Sequence, residues 1–391
     1  MLRIILNLPA TAWLSLLLLT FSCTPGETEP GLADCKSLSR DNADDCIRIN
    51  QIQMLGTHNS YKLRPAGELV QRLNAGRPGW ADNINYEHRP LTEQLEELGI
   101  RQFELDIFAD TRGGLYSEPA GAVMIGEEAF IRPGEMMEPG FKVIHVQDID
   151  YRSTCLTFVS CMREIRDWSL MNPNHLPILI LVEVKEGART DEGSVSYTVP
   201  IPFDEPLMDE IDREIWSVFA KDHVITPDEV RGDFATLEEA VLSQGWPTLA
   251  RGRGRVYFGL DNTNHIKDLY LSRSPVLEER ALFASAGPGE PAGAFIKMND
   301  ALNTGARIRE RVEAGFIIRT RSDIPGQEGV TGDVTRREAA LGSGAQYIST
   351  DYPEVSPFGS GYIVRLPGAA GPGRCNPVSA PADCRNEYIT E

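Results

Sequence analysis

Short apolar runs recur along the chain and alternate with segments of helical periodicity. Several runs are apolar at nearly every position, as expected of strands that are covered on both faces. The runs lie at residues 52–57, 100–107, 141–146, 177–185, 255–260, 294–298, 315–320 and 345–350. Helical patterns lie between them at residues 91–98, 161–170, 207–219, 237–242 and 308–314. This alternation of strands and helices predicts an α/β fold, namely a (β/α)8 TIM-like barrel.

The barrel is expected to be irregular, because its strands are unevenly spaced. The fourth and fifth predicted strands are separated by residues 186–254, which carry helical patterns of their own and an acidic stretch near 200–212. We interpret this segment as a long insertion on the barrel and not as a second domain. The barrel domain is therefore assigned to residues 50–360, and residues 361–391 form a C-terminal tail. Thr92 is a candidate N-cap of the first helix.

The N-terminus has the pattern of an export signal. Residues 1–22 begin with a small positive segment and continue into an apolar stretch that is too short to span a bilayer. Cys23 follows a small residue, as the lipidated cysteine of a bacterial lipoprotein signal does, although Phe21 is bulkier than such signals prefer. Residues 23–49 then form a tether and an N-terminal disulfide segment. We expect the protein to be exported to the bacterial envelope, either secreted or lipid-anchored through Cys23.

The remaining six cysteines form three pairs that are close along the chain. An even number of locally paired cysteines in an exported protein favours disulfides. The predicted pairs are Cys35–Cys46, Cys155–Cys161 and Cys375–Cys384. None of them has the CxxC spacing of a zinc site, so a structural zinc ion is not expected.

Composition and charge narrow the class of partner. With 41% hydrophobic residues the chain can bury a large core, and its formal net charge of −19 argues against binding a nucleic-acid phosphate backbone. Anionic lipid would also repel this surface, so contact with a membrane would need apolar side chains or a bridging cation. No protein partner is predicted.

Polar side chains stand at the ends of the first four predicted strands, where the site of such a barrel is built. In order along the chain these residues are His58 and Asn59, Glu104 and Asp106, His145, and Glu183 and Lys185. A single histidine or a single pair of acids at a strand end is usually structural. Four such elements in order predict a functional site.

The acids in this set suggest a metal. Glu104 and Asp106 share a strand face, as do Glu183 and Lys185, because alternate residues of a strand point the same way. Carboxylates that converge in a barrel mouth repel one another unless a cation lies between them. With the amide oxygen of Asn59 they make an all-oxygen set, which suits calcium or magnesium better than zinc. The two histidines would then divide acid and base roles.

These segments resemble the calcium-dependent branch of the phosphatidylinositol-specific phospholipase C superfamily. The matching segments are THNSY (57–61), GIRQFELD (99–106), the run ending in His145, PILILVEVK (177–185), GFIIRTRSD (315–323) and AQYISTDYP (345–353). The resemblance covers roughly residues 50 to 355, and its diagnostic residues lie in the first half. It implies that the barrel is catalytic and acts on a phospholipid at a membrane surface.

The resemblance also implies roles for individual residues. The inositol 2-hydroxyl attacks the phosphorus in line and leaves a cyclic inositol phosphate, with Ca²⁺ as the metal and Mg²⁺ less favoured. His58 matches the histidine that stabilises phosphoryl charge, and His145 matches the acid that protonates the departing diacylglycerol oxygen. Glu183 or Glu104 would be the base. The implied metal ligands are Asn59, Glu104, Asp106 and Glu183.

Basic residues at strand ends are candidates for substrate binding. These are Lys185, Lys297, Arg319 and Arg321, although Lys185 suits a structural ion pair with a neighbouring carboxylate equally well. Asp323 and Asp351 are either contacts for substrate hydroxyls or turn and cap residues, and the pattern favours the latter.

Other activities on the same barrel remain as alternatives. Glycerophosphodiester phosphodiesterases usually carry His-Arg at the first strand end, and sphingomyelinase D-like enzymes use fewer metal carboxylates. The combination of His58, Asn59 and Glu183 favours the phosphatidylinositol branch. A binding protein that has lost its chemistry is a further alternative, but it would not need both histidines.

Overall fold

The computed structural model of the protein describes residues 34–189 and 196–391. The predicted signal peptide and Cys23 lie outside the described residues. The strands are β1 Ile52–Thr57, β2 Gln102–Phe108, β3 Lys142–Val143, β4 Ile178–Val184, β5 Val256–Leu260, β6 Leu282–Ala284, β7 Phe295–Lys297, β8 Ile317–Arg321, β9 Tyr347–Thr350 and β10 Gly373–Cys375.

The α-helices of the described residues are more numerous than the sequence patterns suggest. They are α1 Ala43–Cys46, α2 Gly67–Gly76, α3 Leu91–Glu96, α4 Ala120–Ile125, α5 Phe158–Met171, α6 Glu205–Val218, α7 Pro227–Arg231, α8 Leu237–Ser243, α9 Leu249–Gly252, α10 His265–Leu271, α11 Ala301–Ala314, α12 Glu328–Thr331 and α13 Thr335–Gly342. Short 3-10 helices lie at Ile49–Gln51, Trp80–Ile84, Glu128–Phe130, Gly134–Met137, Lys221–His223 and Asn386–Tyr388. None of the helices in the described part of the chain is long and apolar enough to cross a membrane.

Eight parallel strands form the barrel, in the order β6-β5-β4-β2-β1-β9-β8-β7. The two end strands meet through a parallel bridge between Ser285 and Phe295, so the ring is nearly closed. The predicted α/β barrel is confirmed, and it is irregular. Its core is continuously apolar along β4, where Ile178 to Val182 are fully buried.

One of the eight predicted strands is not part of the ring. The prediction for residues 141–146 is wrong in this respect, because β3 pairs antiparallel with the end of β2 and lies off the barrel. The chain turns just beyond β3, where Val146 bridges Asp150. The eighth strand of the ring is instead β6, which pairs in parallel with β5. It has only three residues, too few to give a periodic signal.

The helices confirm most of the predicted patterns but not the first cap. Helix α3 begins after Pro90, and the side chain of Thr92 makes no cap; its backbone N–H instead donates to Glu164 Oε1 at 2.7 Å. The predicted insertion carries α6 to α9 between two barrel strands, and α6 packs beside α5. It is therefore an elaborated crossover connection.

The C-terminal segment packs against the barrel. Strand β10 pairs antiparallel with β1, and the Glu391 carboxylate forms an ion pair with the buried Arg101. Arg101 is thus engaged just before β2, away from the C-terminal ends of the strands, where the site lies. The structure contains the three disulfides that the cysteine spacing favours, which join Cys35 to Cys46, Cys155 to Cys161 and Cys375 to Cys384.

Candidate active site

The turn after β1 carries the first polar cluster and is bound to β2. Ser60 N donates to the Glu104 carbonyl at 3.0 Å, and Glu104 N donates to Ser60 Oγ at 2.8 Å. Asn59 adopts a left-handed backbone with φ 49°, which asparagine tolerates better than most residues. The turn therefore holds His58 and Asn59 next to the carboxylates of β2.

Three carboxylates meet at the mouth of the barrel. Asp106 of β2 lies opposite Glu183 of β4 in the strand register, and Glu104 is on the same face of β2. One oxygen from each of the three lies within 4.8 Å of the others, which is a spacing that a single cation can span. Glu104 and Asp106 are buried, whereas the Glu183 side chain is 27% exposed, so the site opens on the side of Glu183.

The donor set fits a hard metal ion. Asn59 Oδ1 and Asp106 Oδ1 are buried and have no hydrogen-bond partner among the described residues. The Asn59 amide nitrogen donates to Tyr86 Oη at 2.7 Å, which leaves Oδ1 as the free acceptor. Buried oxygens without donors are costly unless a ligand satisfies them, and oxygen donors are those that Ca²⁺ and Mg²⁺ take. The residues thus match the ligand set that the resemblance implies.

Two cations of the chain already balance these acids. Lys185 Nζ lies 2.9 Å from Glu183 Oε2 and 3.2 Å from Asp106 Oδ2, and Arg319 is paired with Glu104. Burial alone would raise the pKa of Glu183, but the Lys185 ammonium outweighs it and holds the pKa at about 2. Burial raises the pKa of Glu104 to about 7 against the pull of Arg319. Lys185 therefore forms the ion pair that the sequence suggested as its alternative role.

His58 is held by a carboxylate from the last barrel strand. Its Nδ1 lies 2.8 Å from Asp351 Oδ1, and its Nε2 lies 3.1 Å from Arg321 Nη1. Because a guanidinium can only donate, Nε2 is the acceptor there and the Nδ1–H donates to Asp351. Burial, and after it the charge of Arg321, lowers the pKa of His58 well below its ordinary value. His58 is thus neutral in this arrangement, with Asp351 fixing its tautomer.

His145 is held in the same way by a different acid. It follows β3 and so comes from a loop over the barrel, not from the end of a barrel strand as predicted. Its Nδ1 lies 2.6 Å from Asp150 Oδ2, and its side chain is 19% exposed. Burial lowers the pKa of His145, and Asp150 opposes that shift. The imidazole is therefore anchored through Nδ1 and partly exposed.

Two histidines beside converging carboxylates are what the family resemblance leads one to expect. The family model for Ca²⁺-dependent phosphoinositide phospholipase C matches residues 47–377. The chain belongs to this phospholipase C family. It is therefore an enzyme of the phosphoric diester hydrolase class, and the substrate of its family is phosphatidylinositol lipid.

Solved structures agree on the fold. A calcium-dependent phosphoinositol-specific phospholipase C from Pseudomonas sp is 14% identical, with 81% of this chain and 93% of that chain covered and a TM-score of 0.50. A second structure of that enzyme, a myoinositol complex, is 13% identical over 82% and 94% of the two chains, also with a TM-score of 0.50. At this identity the likeness extends to the barrel alone. No curated protein matches the chain.

The basic residues predicted to bind substrate are all engaged with acids of this phospholipase. Lys297 pairs with Asp261, and Arg319 contacts Asn299 Oδ1 at 2.6 Å besides pairing with Glu104. Arg321 Nη2 lies 3.0 Å from Asp351 Oδ2. The side chains of Lys185 and Lys297 are 24% and 20% exposed, so these two line the opening.

Sequence reasoning missed the residues that orient the site. Asp351 was assigned to a turn or cap, yet it holds both His58 and Arg321. Asp150 and Tyr86 gave no motif signal, because each lies in a segment without strand or helix periodicity. For Asp150 the one available clue is its position five residues after His145, within reach across a tight turn.

Proposed function

We propose that this phospholipase C is exported and cleaves phosphatidylinositol in a calcium-dependent reaction that yields diacylglycerol and an inositol cyclic phosphate. The inositol 2-hydroxyl oxygen forms the new bond to phosphorus, and the bond from phosphorus to the diacylglycerol oxygen breaks. The hydroxyl proton passes to Glu104 or Glu183, and a second proton protonates the departing oxygen.

His145 is the proposed donor of that second proton. Asp150 accepts from Nδ1 at 2.6 Å, which stabilises the doubly protonated ring and directs Nε2–H toward the substrate. The bond that breaks leaves a poor alkoxide leaving group, so protonation in the transition state is needed. Partial exposure of His145 supports this role, since the diacylglycerol stays in the membrane outside the barrel and its oxygen must be reached from the open side.

His58 and Arg321 are proposed to receive the phosphoryl group together. Arg321 Nη1 lies 3.1 Å from His58 Nε2, so a phosphoryl oxygen that enters here meets a guanidinium and an imidazole. Asp351 binds both side chains and fixes their positions relative to each other. Preorganised charge of this kind lowers the barrier because nothing must reorient during the reaction.

Asn59, Glu104, Asp106 and Glu183 are the residues that would hold the calcium ion. When bound, calcium polarises the phosphoryl oxygen and lowers the pKa of the inositol 2-hydroxyl. The observation that carries the proposal is the convergence of these oxygens, with two buried acceptors that have no donor among the described residues, beside two acid-anchored histidines. Three disulfides support export, because they persist in oxidising compartments.

The test is inositol phosphate release from phosphatidylinositol vesicles by mature protein that begins at Cys23. Release should disappear with excess chelator and return with calcium. His145→Ala should abolish release while leaving calcium binding and thermal stability largely unchanged. Release that persists in chelator would contradict the metal assignment. Release of choline from sphingomyelin, or of glycerol phosphate from glycerophosphodiesters, in place of inositol phosphate would contradict the substrate.

His175→Ala is the matched control for the histidine variant. His175 is buried on the other side of the barrel, where its Nε2 lies 2.6 Å from Ser169 Oγ. Its replacement should lower stability without a selective loss of turnover. If His145→Ala retained the activity of the control, the general-acid role would be wrong.

A further inference from the structure

Lys62 is a fully buried lysine that none of the proposed steps uses. Its side chain is 0% exposed, and its ammonium donates to the carbonyls of Ile84 at 2.5 Å and Tyr86 at 3.0 Å. The ammonium also lies 4.5 Å from the centroid of the Tyr86 ring. Lysine is almost never fully buried without a partner, so a charge in this place calls for a reason.

The partner is the acid that anchors His145. Lys62 Nζ lies 3.2 Å from Asp150 Oδ1, while Asp150 Oδ2 takes the imidazole Nδ1 at 2.6 Å. Asp150 is itself fully buried. Without the ammonium, this carboxylate would be a buried charge whose one remaining side-chain hydrogen-bond partner among the described residues is the imidazole, which is costly. The carboxylate would then turn toward other donors or toward water and loosen its hold on Nδ1–H.

The same lysine holds the segment that contacts the other half of the site. The two carbonyls that it binds belong to Ile84 and Tyr86. The Tyr86 hydroxyl accepts from Asn59 Nδ2 at 2.7 Å and lies 3.2 Å from His58 Nδ1. Lys62 N also donates to the Asn59 carbonyl at 2.9 Å. One buried cation therefore lies between the acid–base histidine and the turn that carries the proposed metal-binding amide.

We propose that Lys62 is a positioning residue, which holds Asp150 in the orientation that lets His145 act as the general acid. This inference deepens the proposed function and rests on it. His145 transfers a proton to the leaving oxygen only if Nδ1–H stays bound to Asp150, so the effect of Lys62 should be felt in leaving-group protonation above all. A lysine with a merely structural role would affect every substrate equally.

The test compares two soluble substrates that differ in leaving group, the n-butyl and the 4-nitrophenyl esters of myo-inositol 1-phosphate. The nitrophenolate ion departs without protonation, whereas the butoxide ion needs an acid. Lys62→Met should lower kcat for the butyl ester by about 100-fold and for the nitrophenyl ester by less than about threefold, because general acids contribute roughly 10²–10⁴-fold. Equal losses on the two esters would overturn the proposal.

Lys142→Met is the matched control. Lys142 lies in β3, three residues before His145, and is also 0% exposed. Its ammonium lies 3.8 Å from Asp110 Oδ2. Loss of this buried charge should change the two rates in the same proportion. If it produced the same selectivity as Lys62→Met, general loosening of the segment would account for both. If Lys62→Met does not fold, Lys62→Gln, which removes the charge but keeps donors, takes its place with the same expectation.

A measurement without turnover separates this inference from the proposed function. Long-range ¹H–¹⁵N spectra of histidine-labelled protein report which ring nitrogen carries the proton, and His145→Ala identifies the signal. Wild type should show His145 protonated at Nδ1, and Lys62→Met should show a mixture of tautomers. An unchanged His145 signal in Lys62→Met would refute the role of Lys62 even if the enzyme cleaved neither ester. A wild type that is inactive on both esters, with the tautomer change intact, would instead refute the proposed function alone.

Discussion

Replacing Asp351 by asparagine tests the arrangement around His58 with the smallest possible change of shape. The Asp351 carboxylate is buried and accepts from two donors, the neutral His58 Nδ1–H at 2.8 Å and the Arg321 guanidinium Nη2 at 3.0 Å. Its backbone N–H donates to Asp323 Oδ1 at 2.8 Å, and the substitution does not touch this bond. Asparagine offers one acceptor oxygen in place of two. Either His58 or Arg321 must therefore face an N–H₂ group, donor against donor.

The size of the effect follows from that single lost bond. A hydrogen bond to a charged group contributes about 1.5–3 kcal/mol, so the free energy of unfolding should fall by about that amount. Turnover should fall further than stability, because a displacement of about 1 Å at a reacting group lowers the rate about 100-fold. The affinity for calcium should hardly change, since Asp351 is not among the proposed metal ligands.

Turnover would be followed as inositol phosphate release, and stability by urea unfolding. Asp212→Asn is the matched control, because Asp212 is a buried acid that accepts from Tyr270 Oη at 2.7 Å and pairs with Arg280 at 2.9 Å, outside the site. It should lose similar stability and keep its turnover. Undiminished turnover in Asp351→Asn, with the expected loss of stability, would refute the idea that Asp351 orients His58 for the reaction.

Two further substitutions test charges in and outside the site. Burial raises the pKa of Glu214 to about 7 from its ordinary 4.5. Because the folded state binds this proton more tightly than the unfolded chain does, proton binding stabilises the fold fully below pH 4.5, and this stabilisation is lost as the pH rises through 7. Glu214→Gln, which keeps an acceptor for the Phe141 N–H, should therefore raise the free energy of unfolding at pH 8 by about 1–3 kcal/mol but not at pH 4, as measured by urea unfolding. An equal gain at both values would contradict the pKa argument. Lys185→Met removes an ammonium 2.9 Å from Glu183 and 3.2 Å from Asp106, and it should tighten calcium binding by about tenfold, the equivalent of roughly 1.4 kcal/mol, in calorimetric titrations. Weaker binding would mean that Lys185 supports the metal site and does not compete with it.

The sequence determined the class of fold and the convergence of three acids at one site, because both leave local traces. Strand β1 lies at Ile52–Thr57, the residues that the apolar run marks, and the polar residues that follow it lie at the mouth of the barrel. The spacing of Glu104 and Asp106 by two positions was enough to place both on one face of β2, where they converge with Glu183. Periodicity reports such features, since a strand alternates every two residues whatever it packs against.

Other features could be decided only by the closed barrel. Strand β6 has three residues and acquires its identity from pairing with β5, while the stronger run near 141–146 is excluded from the ring by the turn that follows β3. The tertiary structure also decided which carboxylate is hydrogen-bonded to which histidine. Asp351 reaches His58 from the last barrel strand, although 293 positions separate the two residues along the chain.

The same holds for the charges around the predicted metal site. Distances between strands decide whether a basic residue at a strand end binds substrate or balances a carboxylate. These distances are set by the closing of the ring and leave no trace in any one segment. They concern Lys185, Lys297, Arg319 and Arg321. Local periodicity thus determined which residues reach the mouth of the barrel. The pairing among them was decided by the fold, because ion pairs and hydrogen bonds depend on separations of a few ångströms that only long-range packing fixes.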